Sequence, residues 1–359
     1  MLDVVRGWFH RFLSEEEAVL LAVIIVGTVA VLLMMGDILM PLLLSIIFSY
    51  VLYGAINTLQ RLSVPRIAAV WIVFLVFLSA FFSLLVFAIP LAWRQMQALF
   101  ENLPGIMERV RATLATLPEN YPALISEHQV TMWLEMLNTE AGDLGQWLLS
   151  FSLSQLPVVI TMGVYIMLIP IIVFFLLKDR GELIAWSLSF LPERRPLLDR
   201  IGAEMNLQVY NYVRGKVLEV ILLGIASYLL FELFGLNYAV LLAFLVGLSV
   251  VVPYVGLVAV TIPVVIIAYV QFGWSADFLY LMLWYSVVQA IDGFVVVPLL
   301  FSEANNLHPI AIILAVLIFG SWWGVWGVFF AIPLATLVKA VMTAWPQVRS
   351  EMASAPAEV

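Results

Sequence analysis

The chain has 359 residues, 64% of them hydrophobic and only 11% charged, with a formal net charge of −8. A water-soluble surface calls for about a quarter of residues to be charged, so an ordinary soluble domain is excluded, and the acidic balance excludes the basic footprint of a nucleic-acid binder. With no cysteine in the chain, disulfides, iron–sulfur clusters and cysteine–zinc sites are excluded too.

The apolar runs are continuous and do not alternate with polar residues, which argues for membrane helices and against a β-barrel. At roughly 20 residues per crossing, the chain can supply about seven or eight membrane segments. Residues 1–17 set Trp8, Phe9, Phe12 and Leu13 beside Arg6 and Arg11, the pattern of a helix lying in the interface. Spans are predicted over 18–35 and from 38 to about 59, separated by a turn at Gly36-Asp37, and a third over 67–92. The first run is followed at once by another and lacks a small-residue cleavage site, so it is expected to be retained.

Residues 93–152 are the one stretch that resembles a small polar domain. Trp93, Met96, Phe100, Leu103, Met107, Val110 and Leu114 recur there at helical spacing among acidic residues, predicting amphipathic helices. A fourth span covers 153–177. A basic segment follows, in which Leu198, Ile201, Met205, Val209 and Tyr212 mark an amphipathic helix over 193–213. A fifth span covers 217–234, residues 235–345 form a transport region with interrupted helices, and 346–359 are an Ala-, Pro- and Glu-rich tail. Basic residues cluster at the N-terminus, in the 60–66 loop, over 178–216 and near the C-terminus. The positive-inside rule therefore places both termini on the cytoplasmic side of the membrane and the acidic 93–152 segment outside.

Two apolar stretches are too short to cross. Residues 238–252 would make about 22 Å of helix against a hydrocarbon core of about 30 Å, and they end at Pro253-Tyr254-Val255-Gly256. Residues 309–319 are shorter still and meet a run containing Gly320, Gly324 and Gly327. Both read as helix, break, helix. Such breaks persist at membrane depth only where protein or a water-filled cavity surrounds them. A pair of interrupted segments points to a transporter binding site, so Pro253, Tyr254, Gly256, Gly320, Gly324 and Gly327 are candidates for the substrate path. Kinked full spans, or a Gly320/Gly324 packing motif, are the alternatives.

Ionisable residues inside apolar runs are costly and call for a reason. Glu219 lies just inside the fifth span, three residues after Lys216. Asp292 shares a helix face with Gln289 and Tyr285, which suits a coupling cation or proton; a salt bridge for Glu219 and a structural hydrogen bond for Asp292 are the competing readings. His308, beside Pro309, marks a helix start. Neither a phosphate-binding loop nor a hydrolase or metalloprotease motif occurs, so no enzyme activity, cofactor or metal is expected.

Several segments together resemble the autoinducer-2 exporter family of PerM-type permeases. They are Phe174-Phe175-Leu176-Leu177-Lys178-Asp179-Arg180, Tyr212-Val213-Arg214-Gly215-Lys216, Gly235-Leu236-Asn237-Tyr238-Ala239, Val252-Pro253-Tyr254-Val255-Gly256, Val297-Pro298-Leu299-Leu300, Asn306-Leu307-His308-Pro309 and Ala331-Ile332-Pro333-Leu334-Ala335. The resemblance implies an all-α polytopic secondary transporter with about eight helical segments and a moving hairpin domain. It also implies a homo-oligomer, with a pentamer the suggested size. Its activity would be export of a small polar signal such as autoinducer-2, or sodium(potassium)/proton antiport. Family members often carry Gln after the Arg-Gly pair, where this sequence has Lys216. A membrane scaffold that recruits partners through residues 93–152 is the reading from another class.

Overall fold

The computed structural model of the chain describes residues 16–120, 126, 128–132, 135–136, 155–193, 195–253, 255–301 and 307–341. The first fifteen residues, most of 121–154, the last eighteen residues and Tyr254, all subjects of sequence expectations, lie outside them. Every regular element described is helical. In chain order these are α1 (Glu16–Arg61), α2 (Arg66–Ser83), a π-turn (Leu84–Ala88), α3 (Ile89–Asn120), α4 (Gln155–Lys178), α5 (Arg180–Leu188), α6 (Pro196–Leu233), α7 (Ala239–Ser249), α8 (Val255–Phe272), α9 (Ala276–Ile291), a second π-turn (Asp292–Val296), α10 (Val297–Phe301) and α11 (Pro309–Phe329), followed by α12 (Ala331–Val341).

Local chemistry sets the boundaries. Ser275 caps α9 by accepting from the Phe278 N–H, and the His308 ring accepts from the Ile310 N–H at the start of α11, as expected of a helix start. Pro196 and Pro309 occupy first turns, where a missing N–H costs nothing. Six helices among the described residues are long and apolar enough to cross a membrane. Their outer faces carry Ile67, Phe87, Phe294 and Leu299, exposed by 76%, 72%, 83% and 75%. That surface suits lipid and not water, and the molecule is an all-α polytopic membrane protein.

The helix of the third predicted span does not stop at residue 92: α3 carries it on to Asn120 with Pro104 and Pro118 inside. The turn at Gly36-Asp37 shows in the contacts of α1. On a straight α1, Leu21 and Tyr50 would stand about 43 Å apart. Yet Leu21 packs on Ile201, and Tyr50 Oη donates to Asn206 Oδ1 at 3.1 Å, both within one stretch of α6. The chain must therefore turn back close to residue 37, where the glycine leaves room for the Trp323 indole to lie against Gly36.

α6 is the ruler of the fold. It unites the amphipathic helix predicted over 193–213 and the fifth span in one 38-residue helix. Against its C-terminal half packs the largest core, with Phe231, Leu242, Val246, Val264 and Leu281 drawn from α6, α7, α8 and α9. The α6–α7 crossing is close because Gly224 and Gly247 meet there. A Cβ at Gly247 would stand 2.9 Å from the Val220 carbonyl oxygen and 3.1 Å from Gly224 Cα, an approach that only small residues permit.

Both predicted breaks are chain reversals. α7 and α8 form a hairpin whose arms touch where Gly256 meets the Ser249 carbonyl. Its base lies beside the C-terminal end of α6, where the Leu236 N–H bonds to the Phe231 carbonyl at 2.8 Å. Its tip reaches Lys216, whose Nζ donates to the Val250 carbonyl at 2.9 Å. The second hairpin lies within α11 and α12. Trp323 (φ −134°, ψ 16°) and Gly324 (φ 58°, ψ −137°) break the helix, and Gly327 then lies against the Phe319 carbonyl. Only residues 309–322 form a straight first arm, about 21 Å long. Along the second arm, the Phe329 carbonyl accepts from Tyr212 Oη at 2.9 Å, and Leu337 packs with Ile201. This hairpin therefore points up α6 while the first points down it. Val251 of one tip and Trp326 and Phe330 of the other pack on one cluster around Tyr212 and Val213.

Candidate functional site

Where the two tips converge, α6 presents charge. Its buried stripe of Ile201, Tyr212 and Leu223 runs on through Lys216 and Glu219, which are only 6% and 3% exposed. Lys216 Nζ stands 2.8 Å from Glu219 Oε2, a charge contact between residues three apart on the helix. The same ammonium donates to the Val250 carbonyl and lies 5.2 Å from the centre of the Phe301 ring. A cation at the carbonyl end of α7 is favoured by that helix's dipole, so Lys216 holds the acid and the first hairpin tip together.

The third charge comes from α9. Asp292 sits where α9 opens into the π-turn, an irregularity that recurs at functional sites. Its carboxylate lies within the field of Lys216, and Glu219 within that of Asp292, while the ion-pair contact itself is between Lys216 and Glu219. One and two turns back along α9 are Gln289 and Tyr285. The Tyr285 hydroxyl and Thr261 Oγ1 of α8 are 3.1 Å apart, and the Tyr285 ring stacks on Phe231 at 5.9 Å. Asp292 Oδ1 and Ser227 Oγ are buried without a hydrogen-bond partner, and the Gln289 side chain approaches the Tyr285 hydroxyl. Buried polar atoms are normally paired, and such groups are suited to a polar solute, a cation or water.

The structure thus brings Asp292, Gln289 and Glu219 into one neighbourhood below the first hairpin tip. Pro253 lies in that tip, half-buried, and Gly256 is buried at the contact between its arms. In the second hairpin Gly327 is buried between the arms, Gly320 faces Val328, and Gly324 is exposed at the apex. Tyr254 is outside the described residues. Sequence reasoning missed the roles of Tyr212 and Lys216 as holders of the two tips. The available signal was their spacing: positions 198, 201, 205, 209, 212, 216, 219 and 223 continue one helical stripe, so Lys216 and Glu219 fall on the buried face.

Residues 20–347 match the family model described as AI-2E family transporter. The chain is 44% identical over 346 residues to the "Putative permease PerM" of Escherichia coli strain K12, covering 96% of this chain and 98% of that protein. It is 25% identical over 305 residues to the "Putative transport protein YueF" of Bacillus subtilis strain 168, covering 84% of this chain and 82% of that protein. Likeness of this extent, over a fold with two opposed hairpins, settles the family: the chain belongs to the AI-2E transporters.

Proposed function

We propose that the protein is a secondary transporter that exports a small polar solute, such as autoinducer-2, across the bacterial inner membrane. The observation that carries this reading is the meeting of two opposed hairpin tips at the buried Lys216–Glu219 pair, with the half-buried Asp292 beside it. In this reading the hairpins are re-entrant, and each tip gates the cluster from one side. Asp292 and Glu219 take up and release the coupling ion, Gln289 binds the solute, and Pro253 and Gly324 line its path. The protein works as a homo-oligomer with its termini and basic loops in the cytoplasm. That its relatives carry permease and transport names supports the same assignment.

A second carboxylate, Asp292, in the field of the Lys216–Glu219 pair favours a second reading, cation/proton antiport, because the surplus negative charge suits exchange of a cation for a proton. Flux into proteoliposomes containing a pH-sensitive dye separates the two, with sodium, potassium and autoinducer-2 supplied in turn. Solute movement without cation-driven proton flux supports export, and cation-driven proton flux without solute supports antiport. In either case Asp292→Asn is expected to insert normally and lose ion-coupled flux. Wild-type flux with unchanged pH dependence in that variant would make Asp292 a structural residue.

A further inference from the structure

A second cavity lies at the opposite end of α6 from the base of the first hairpin. It measures about 850 Å³ and is walled by both arms of α1, the end of α4, α5, the first turns of α6, and α12. That is the size of a site for a drug-sized ligand, about 300–1,000 Å³. Leu21, Ile25, Leu177, Ile184, Leu198 and Ile201 make most of its wall apolar. Polar groups gather at one place: Tyr50, bonded to Asn206 at 3.1 Å, and Tyr53, whose ring centre lies 3.8 Å from the Arg180 guanidinium carbon. The carboxylate in the lining, Asp199, is engaged by Arg195 at 3.0 Å, and Asp179, next to Arg180 in sequence, by Lys178 at 3.6 Å. Among the described residues Arg180 has no acidic partner.

We infer that this cavity binds an anionic phospholipid of the surrounding bilayer, an acyl chain in the apolar chamber and the phosphate on Arg180. Charge decides the occupant. Arg180 is the one basic side chain among the lining residues, and the one lining acid, Asp199, is held by Arg195; on the topology proposed above this pocket lies on the cytoplasmic side, where a basic side chain between membrane helices recognises an anionic headgroup. An acyl chain fits because the wall offers few hydrogen-bonding groups, and the exposed apolar side chains of Ile24, Leu183 and Ile184 mark an opening toward lipid. The assignment is independent of which solute the transporter carries.

The test is native mass spectrometry of the purified full-length protein in detergent, with equimolar phosphatidylglycerol and phosphatidylcholine. Wild type should retain phosphatidylglycerol at least ~5-fold over phosphatidylcholine, the ratio expected of one basic side chain at the headgroup. Arg180→Ala should abolish that preference and Arg180→Lys should keep most of it. Gly202→Phe should reduce retention of both lipids, because a Cβ at Gly202 meets no heavy atom within 4 Å and the ring can enter the chamber. Equal retention of the two lipids by wild type would overturn the proposal, as would a preference that survives Arg180→Ala or retention unchanged in Gly202→Phe. An oligomer dispersed by Gly202→Phe with no lipid bound would assign the cavity to a second copy of the chain and also overturn it.

Discussion

Lys216 joins three things that would otherwise be separate: an acid on its own helix, a carbonyl at a hairpin tip and the field of Asp292. Removing one partner of a buried ion pair typically costs about 3–5 kcal/mol, whereas replacing both with apolar or neutral residues is often close to neutral. Lys216→Met leaves two carboxylates facing each other and frees the Val250 carbonyl, so it should be strongly destabilising. The Lys216→Met, Glu219→Gln double variant should recover much of that loss. Unfolding in mixed micelles would measure both. A double variant no more stable than Lys216→Met would mean that the bond to Val250, and not the ion pair, is what matters. Part of this site is legible in sequence. The i, i+3 spacing gives the Lys216–Glu219 pair, and Gln289 with Asp292 give one polar face of α9. What sequence does not give is that these two faces meet, because the contact depends on how α6 packs against α9 and on the π-turn at Asp292, which has no local signature in Asp-Gly-Phe-Val-Val.

At the scale of elements, the breaks near 253 and 324 are readable from length alone, since first arms of about 20 Å or less cannot cross a core of about 30 Å. That the arms return antiparallel is a tertiary result, visible in which atoms the glycines touch. Gly324 holds a backbone conformation (φ 58°, ψ −137°) that residues with a Cβ rarely adopt, at a cost of about 1–3 kcal/mol. Gly327 is needed for a different reason: its Cα lies against the Phe319 carbonyl, and a methyl group there would force the arms apart. Gly327→Ala is expected to weaken the second hairpin and lower flux. Gly27→Ala, in α1 where nothing lies within 4 Å of the added methyl, should be neutral or stabilising by up to about 1 kcal/mol through helix propensity. Flux and thermal unfolding of the pair would check this, and equal behaviour would mean that the hairpin tolerates a wider gap. The turn at Gly36-Asp37 follows from sequence, but the Trp323 indole seated on Gly36 does not, because nothing local links residues so far apart.

For the whole molecule, the two hairpins lie along one helix with their tips facing, and their relation to the bilayer sets how transport can work. If each is re-entrant, both ends of the first hairpin open to the outside and both ends of the second to the cytoplasm. The chain has no cysteine, so single cysteines can be introduced without background. Asn237→Cys and Gly273→Cys flank the first hairpin, and Leu307→Cys and Lys339→Cys flank the second. In intact cells a membrane-impermeant maleimide should label the first two and spare the last two, while inverted vesicles should give the reverse. Hairpins that cross would label their ends in the same way and differ at the tips: Val255→Cys of the first and Val325→Cys of the second, both exposed, would then label from the side opposite their own ends. That result would leave the chain-reversal geometry in place but remove its meaning as a pair of gates, since a tip that emerges on the far side cannot close a site at mid-depth. Ends that label from the same side within each hairpin and from opposite sides between them, with tips that do not label from the far side, would set the Lys216–Glu219–Asp292 cluster between two gates of opposite orientation, the arrangement that alternating access requires.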